Sequence, residues 1–185
     1  MAESYTPTDL VRDAADLLEG RDPLEVRESI AGLLRRLGEQ PGILSSARLA
    51  GIHGSTATAE ILAEQPRGPA IMLARFPHEA PTPVHNHNTW GIVCVLKGRD
   101  RYERWERLDD GSDPAKSRLR LAESRELSAG DIAYIGAPPD DLHRQQGIGG
   151  AAWELVLFGR NPLIGPRTYF DPETGEVTYD YAARQ

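Results

Sequence analysis

The chain has 185 residues, of which 39% are hydrophobic, so it is long enough for one domain of ordinary size and too short for two. Its 28 acidic residues outnumber its 21 Lys and Arg, and the net charge of −7 disfavours a broad binding surface for nucleic acid or an anionic membrane. A single cysteine, Cys94, excludes an intramolecular disulfide and a thiolate-only zinc site, so a metal site has to use histidines and carboxylates.

Two helix signals occupy the first part of the chain. Thr6 and Pro7 form an N-cap followed by Pro at the first helical position, and Asp22 and Pro23 repeat this pattern. Apolar residues then recur at helical spacing after each start. These patterns predict a helical N-terminal segment over residues 1–52.

Residues 53–160 carry short apolar runs with Gly- and Pro-containing turns between them and no helical pattern. The runs are Thr56–Leu62, Ala70–Phe76, Trp90–Leu96, Asp131–Ile135 and Ala152–Phe158. Runs of this length and punctuation predict strands, and they favour an antiparallel sandwich or barrel over a doubly wound sheet.

Two turn signals predict hairpins outside these runs. One is Asp110-Gly111 in a polar loop, and the other is Thr174-Gly175 in the last part of the chain. We predict that residues 161–185, which also contain three prolines, form a C-terminal tail that wraps the barrel.

We expect a cytoplasmic protein. The sequence lacks a run of roughly 20 apolar residues, the length needed to cross a bilayer. Its first residues also lack a basic stretch followed by an apolar one, which is the pattern of a secretion signal.

The histidines suggest a metal site. His85 and His87 stand two residues apart, and side chains at i and i+2 of a strand project from the same face, so both imidazoles could reach one ion. A third, His143, ends the segment from Gly130 to His143, which contains two adjacent prolines. The remaining two histidines, His53 and His78, lie in loop sequence and are predicted to be loop residues.

These two segments resemble the two motifs of the cupin superfamily. The first is H-x-H followed by a strand that Gly98 closes, and the second is G-D followed by a Pro-containing turn and a histidine. The resemblance covers roughly residues 55–160. It implies a mainly β fold, the cupin double-stranded β-helix or jelly-roll barrel, at residues 53–160, preceded by the short α-helical segment.

The histidine set resembles one subclass more closely. Common cupins carry a Glu four or five positions after the second histidine, where this chain has Gly91 and Ile92. The remaining set of His85, His87 and His143 is similar to that of the three-histidine thiol dioxygenases, the cysteine and 3-mercaptopropionate dioxygenases. This similarity implies that the three histidines are catalytic metal ligands for Fe(II), and that the partners are a small anionic substrate and dioxygen. Imidazole also binds Zn, Ni or Cu, so the residue types leave the metal open.

The resemblance fails on a late strand, where the family carries a Ser-His-Tyr relay. Glu154, Val156 and Phe158 occupy the three positions. Val156 and Phe158 make the predicted substrate pocket more apolar than that of a cysteine dioxygenase, which argues for a less polar substrate. Glu154 could face the pocket or solvent.

Two further residues are candidates for substrate binding. Arg167 stands nine residues after Phe158, where the mercaptopropionate subgroup has an arginine that pairs with the substrate carboxylate, and guanidinium suits this role. Arg75 and Arg160 are rivals for it. Tyr134 could present a phenol to the cavity, although strand parity leaves its side open.

The leading functional hypothesis is a mononuclear nonheme Fe(II) dioxygenase that oxidises a small thiol carboxylate to a sulfinate. One alternative keeps the metal and oxidises a carbon acid or diketone. The other is a metal- or ligand-binding cupin without turnover. The fold alone does not choose among them, because function depends on the site that the fold carries.

Overall fold

The computed structural model describes residues 4–45 and 47–181. Its two helices, α1 (Pro7–Leu18) and α2 (Pro23–Gly38), begin where the caps predict. The Thr6 hydroxyl accepts a hydrogen bond from the Asp9 amide at 3.1 Å, and the Asp9 carboxylate accepts one from the Thr6 amide at 3.0 Å, which completes a capping box. Neither described helix is long and apolar enough to cross a membrane.

Within the described part of the chain, twelve strands follow the helices. They are β1 (Ala50–Gly51), β2 (Thr58–Glu64), β3 (Ala70–Phe76), β4 (Val84–His85), β5 (Gly91–Lys97), β6 (Arg99–Arg107), β7 (Leu119–Ser128), β8 (Ile132–Ile135), β9 (His143–Gly147), β10 (Ala152–Phe158), β11 (Pro166–Phe170) and β12 (Val177–Tyr181). They form two antiparallel sheets of six strands, in the orders β1-β2-β3-β10-β5-β8 and β12-β11-β4-β9-β6-β7. The predicted mainly β fold, a double-stranded β-helix or jelly-roll barrel with two preceding helices, is confirmed.

The first sheet is buried on both faces. Leu155 and Leu157 of β10 pack towards α1 and α2, whereas Val156 and Phe158 pack in the interior between the sheets with Tyr102 of the second sheet. A strand covered on both sides carries apolar residues on both of its faces, which explains the nearly continuous apolar runs seen in the sequence. Cys94 lies on the helix side, where burial raises the pKa of its thiol to about 11.

The segment after residue 160 contributes strands to the second sheet. β11 pairs with β12 through a turn that contains Gly175, and β11 also pairs with β4, where Tyr169 lies opposite His85. This pairing places the segment beside the histidine motif. The division of the chain at residues 1–52, 53–160 and 161–185 stays a prediction.

Gly98, which follows β5, occupies a position that has no room for a side chain. Its φ of +82° is left-handed, and an added Cβ would collide with the carbonyl oxygen of Ala151. Gly130 also has a left-handed φ of +91°, but nothing lies within 4 Å of its Cβ position. We expect Gly130→Ala to lower the free energy of unfolding by about 1–2 kcal/mol from backbone strain. We expect Gly98→Ala to lower the free energy of unfolding by about 1–3 kcal/mol more than Gly130→Ala does, because of the collision. Urea denaturation of both variants measures the difference. Equal losses of unfolding free energy in the two variants would show that the backbone near Ala151 moves aside without destabilising the fold.

Candidate metal centre

Strand pairing brings the three predicted histidines together. His85 on β4 lies directly opposite His143, the first residue of β9, and His87 follows β4 by two residues. The Nε2 atoms of His85 and His87 are 3.2 Å apart, and one ligand nitrogen from each of the three histidines lies within 4.8 Å of the others. All three side chains are buried. The cluster could therefore hold one metal ion.

The hydrogen bonds of two rings orient their lone pairs. Nδ1 of His85 is 3.0 Å from the carbonyl oxygen of Pro83, and Nδ1 of His143 is 3.0 Å from that of Asp141. A carbonyl oxygen only accepts, so each Nδ1 carries the proton and each Nε2 keeps a lone pair for an ion. Nδ1 of His87 has no hydrogen-bond partner among the described residues. The spacing of the two Nε2 atoms suits a shared ion with metal–nitrogen distances of about 2.0–2.1 Å.

Burial keeps the imidazoles in the form that binds metals. Desolvation lowers the pKa of His85 and of His87 well below the usual value, with neighbouring histidines adding to the shift. Desolvation also lowers the pKa of His143, to about 4. Neutral imidazoles present lone pairs near neutral pH without first losing a proton.

The cluster contains no carboxylate. Within residues 4–45 and 47–181, the three histidines are the one group of three or more His, Cys, Asp or Glu placed to hold an ion. At the positions where common cupins have Glu, Gly91 lies against Phe158 and Ile135, and Ile92 packs on the helix side. The donor set is neutral, which suits Fe(II), Zn, Ni or Cu.

Asp141 supports the loop that carries His87. Its carboxylate accepts hydrogen bonds from the backbone amides of His87, at 3.2 Å, and Asn88, at 2.7 Å. Asn88 has a left-handed φ of +55°, so the turn needs such support. Burial raises the pKa of Asp141. Asp141 is not among the residues predicted from the sequence, although it stands two residues before His143.

We expect Asp141→Ala to lower the free energy of unfolding by about 1–3 kcal/mol, because the buried amide of His87 and the half-buried amide of Asn88 lose their acceptor. We also expect metal affinity to fall about 10- to 100-fold, as it does when a residue that orients a ligand is removed. Calorimetric titration with zinc measures the second effect. Asp140→Ala, which removes the exposed neighbouring carboxylate, is the control. Equal behaviour of the two variants would show that Asp141 does not hold the loop.

A cavity adjoins the histidines. Its lining includes Val156, Phe158 and Met72, together with His85, His87 and Arg167. The cavity volume of about 20 Å³ is room for about one water molecule. A substrate therefore has to be small, and a flexible side chain of the lining has to move to admit it. Met72, with its unbranched side chain, is suited to yield.

Arg167 brings an unpaired positive charge to this cavity. Its side chain is buried, with Nη2 donating to the carbonyl oxygen of Pro162 at 3.1 Å and Nη1 to the hydroxyl of Tyr169 at 3.5 Å. No carboxylate of the described chain forms an ion pair with it. A buried guanidinium without a counter-ion is costly, which favours an anionic ligand beside it.

The structure does not bring Tyr134 to the cavity. Its hydroxyl donates to Glu28 of α2 at 2.7 Å, and Arg27 lies over its ring. Its neighbour Ile135 lines the cavity, and successive side chains of a strand point to opposite faces, so Tyr134 faces the helices. Burial, together with the bond to Glu28, raises the pKa of Tyr134 to about 12.

The remaining histidines lie outside the cluster. The His53 side chain is 87% exposed and is 3.0 Å from Asp180. His78 is paired with Glu79 at 3.3 Å in an exposed loop.

Glu154 faces the interior, which the sequence had left open. It is fully buried and lies on the same face of β10 as Val156 and Phe158. Nε2 of Gln145 donates to Glu154 at 2.6 Å and to Asp100 at 3.2 Å. The sequence analysis missed Gln145 and Asp100. Gln145 stands two residues after His143, so strand parity could have placed it on the same face.

Comparisons with known proteins give cupin folds at low identity. The sequence matches no protein-family model and no curated protein sequence. KdgF from Halomonas sp. is 18% identical over 64% of this chain and 93% of its own, with a TM-score of 0.47. The DMSP lyase DddQ from Ruegeria pomeroyi DSS-3 is 17% identical over 70% of this chain and 64% of its own, with a TM-score of 0.48. An oxalate oxidase is 26% identical over 60% of this chain and 53% of its own, with a TM-score of 0.43. A functional assignment therefore has to rest on the site.

Proposed function

We propose that this chain is a mononuclear nonheme Fe(II) dioxygenase of the three-histidine cupin type, which oxidises a small thiol carboxylate to a sulfinate. The observation that carries the proposal is one cavity that joins a carboxylate-free histidine cluster to the buried, unpaired guanidinium of Arg167. Because the three ligands are neutral, the positive charge of a bound ion would remain available to attract an anionic group of the substrate. The guanidinium of Arg167 would bind a second anionic group.

The geometry supports one role for each of these residues. His85, His87 and His143 would hold the ion. Bound iron would supply redox chemistry and open positions for a thiolate and dioxygen. Arg167 would grip the substrate carboxylate through two parallel N–H bonds, which fixes its orientation.

The apolar walls and the overall reaction are consistent with these roles. Val156 and Phe158 are almost fully buried and give the cavity walls that keep bulk water from the reacting sulfur. Both atoms of one dioxygen molecule are added to the thiol sulfur, and the thiol proton is retained as the sulfinic acid proton. The reaction balances without a further reductant.

Oxygen incorporation tests the proposal. Protein reconstituted with Fe(II) without air is mixed with oxygen-18 gas and 3-mercaptopropionate, other thiol carboxylates, propionate or a β-diketone. We expect uptake with at least one thiol carboxylate, no uptake with propionate or the diketone, and two labelled oxygen atoms in each sulfinate formed.

Two other outcomes would replace the proposal. Uptake with the diketone and with none of the thiols would indicate carbon oxidation. Iron retained at the site with no uptake on either panel would indicate a binding cupin without turnover.

A further inference from the structure

The side-chain amide of Gln145 is held between two buried acids. Its Nε2 donates to Glu154 at 2.6 Å and to Asp100 at 3.2 Å, and all three side chains are at least nine-tenths buried. Asp100 also accepts from the backbone amide of Gln146 at 3.0 Å, which fixes that carboxyl in turn. Both hydrogens of the amide nitrogen are thus engaged.

This arrangement determines which way the amide points. Nε2 is the amide atom within hydrogen-bond distance of both acids, so the nitrogen end of the amide faces them and Oε1 lies on the other side of the amide group. Gln145 borders the same cavity as His85, His87 and Arg167. Within the described chain, Oε1 accepts no hydrogen bond, because the side-chain bonds of Gln145 are those of its Nε2. Oε1 is therefore available to a donor on a molecule in the cavity that Gln145 borders.

We propose that Gln145 is a specificity-determining residue, whose Oε1 accepts a hydrogen bond from a hydroxyl or amino group of the substrate. Glu154 and Asp100 are positioning residues for it. The inference rests on the proposed function for the carboxylate at Arg167. It narrows the substrate class to small carboxylates that carry a hydrogen-bond donor besides the group that meets the metal.

The apolar surroundings make this acceptor selective. The neighbouring walls, Val156, Phe158 and Met72, offer a polar substituent no partner, and the two hydroxyls that line the cavity, on Ser55 and Thr82, already accept from backbone amides. A donor group that enters the cavity loses its water and can regain a bond at the unpaired Oε1 of Gln145, whereas a substrate without the donor leaves Oε1 unpaired.

Binding of matched acids to zinc-loaded protein tests the inference without turnover. One pair is propionate and lactate, and the other is 3-mercaptopropionate and its 2-hydroxy derivative. By titration calorimetry we expect the hydroxylated member of each pair to bind about 2- to 10-fold more tightly, the value of one net hydrogen bond. In Gln145→Leu we expect this preference to vanish, because the acceptor that distinguishes the two members of each pair is removed.

A second variant, Glu154→Gln, tests the inference if Gln145→Leu does not fold. Glu154→Gln keeps the side-chain volume but adds a donor beside Gln145, so the amide can turn its nitrogen towards the cavity. We expect the preference for the hydroxylated acid to shrink at least about twofold, while the unsubstituted acid still binds. A purely structural role for Glu154 would change both affinities equally.

The outcomes separate this inference from the proposed function. Equal binding within both pairs, binding by none of the four acids, or a hydroxyl preference unchanged in the variants would overturn the inference. Oxygen uptake with thiols reports the proposed function independently. If no thiol causes oxygen uptake but the protein still prefers lactate over propionate, only the proposed function would be overturned.

Discussion

Replacing His143 with alanine is expected to lower the affinity for Fe(II) or zinc by more than about 100-fold, beyond the range seen when only a residue that orients a ligand is removed. His143 is 1% exposed and lies opposite His85 across the β4–β9 pair, so no other side chain can take its place without moving a strand. Two imidazoles would remain, and the site would lose a third of its protein donors. Metal content after dialysis and calorimetric titration measure the loss.

His78→Ala is the matched control, because it removes an imidazole from an exposed loop outside the cluster. It should bind metal like the wild type. Unchanged metal affinity in His143→Ala would refute the three-histidine site. Circular dichroism of both variants shows whether a loss comes from the site or from unfolding.

Replacing Arg167 with alanine is expected to raise KM for thiol carboxylates by about 10- to 150-fold, the range for hydrogen bonds to a charged group. The same change should leave KM for thiols without a carboxylate nearly unaffected. Arg167→Lys should show a smaller loss for the acids, because lysine keeps the charge but not the planar fork that fits a carboxylate.

Arg75→Ala is the control for charge. Arg75 lies on β3 between Ala74 and Phe76, which both line the cavity, so its own side chain points to the other face. It should not change KM. Equal effects of Arg167→Ala on acids and on amines would contradict the role of Arg167 as a carboxylate anchor.

The sequence predicted those features that depend on local patterns. Thr6 and Asp22 mark the helix starts because capping is a local hydrogen bond. The i, i+2 spacing of His85 and His87 predicted a shared face because strand geometry has a period of two. The five apolar runs, which Gly and Pro separate, overlap β2, β3, β5, β8 and β10, whereas the other seven strands have no such run.

The orientation of single residues on the covered strands could not be predicted. β10 packs on helices with one face and on the second sheet with the other, so its sequence shows no alternation that would reveal the inner side. For this reason the sequence alone does not determine which face of the sheet Glu154 or Tyr134 occupies. Glu154 turns inwards, and Tyr134 turns towards Glu28.

Contacts between distant segments were also beyond local patterns. Arg167 lies beside the histidines only because β11 pairs with β4, and Asp141 acts on backbone amides 53 and 54 residues away in sequence. The bridge from Gln145 to Asp100 and Glu154 joins three strands. Such contacts depend on the strand order of the whole fold.

The most direct test of the central claim is the metal content of protein purified without added metal, followed by oxygen uptake after iron is restored. The account predicts about one iron per chain, the occupancy of a single three-histidine site, and uptake that depends on a thiol carboxylate. Zinc or no metal in the purified protein, together with no uptake after iron is restored, would contradict it.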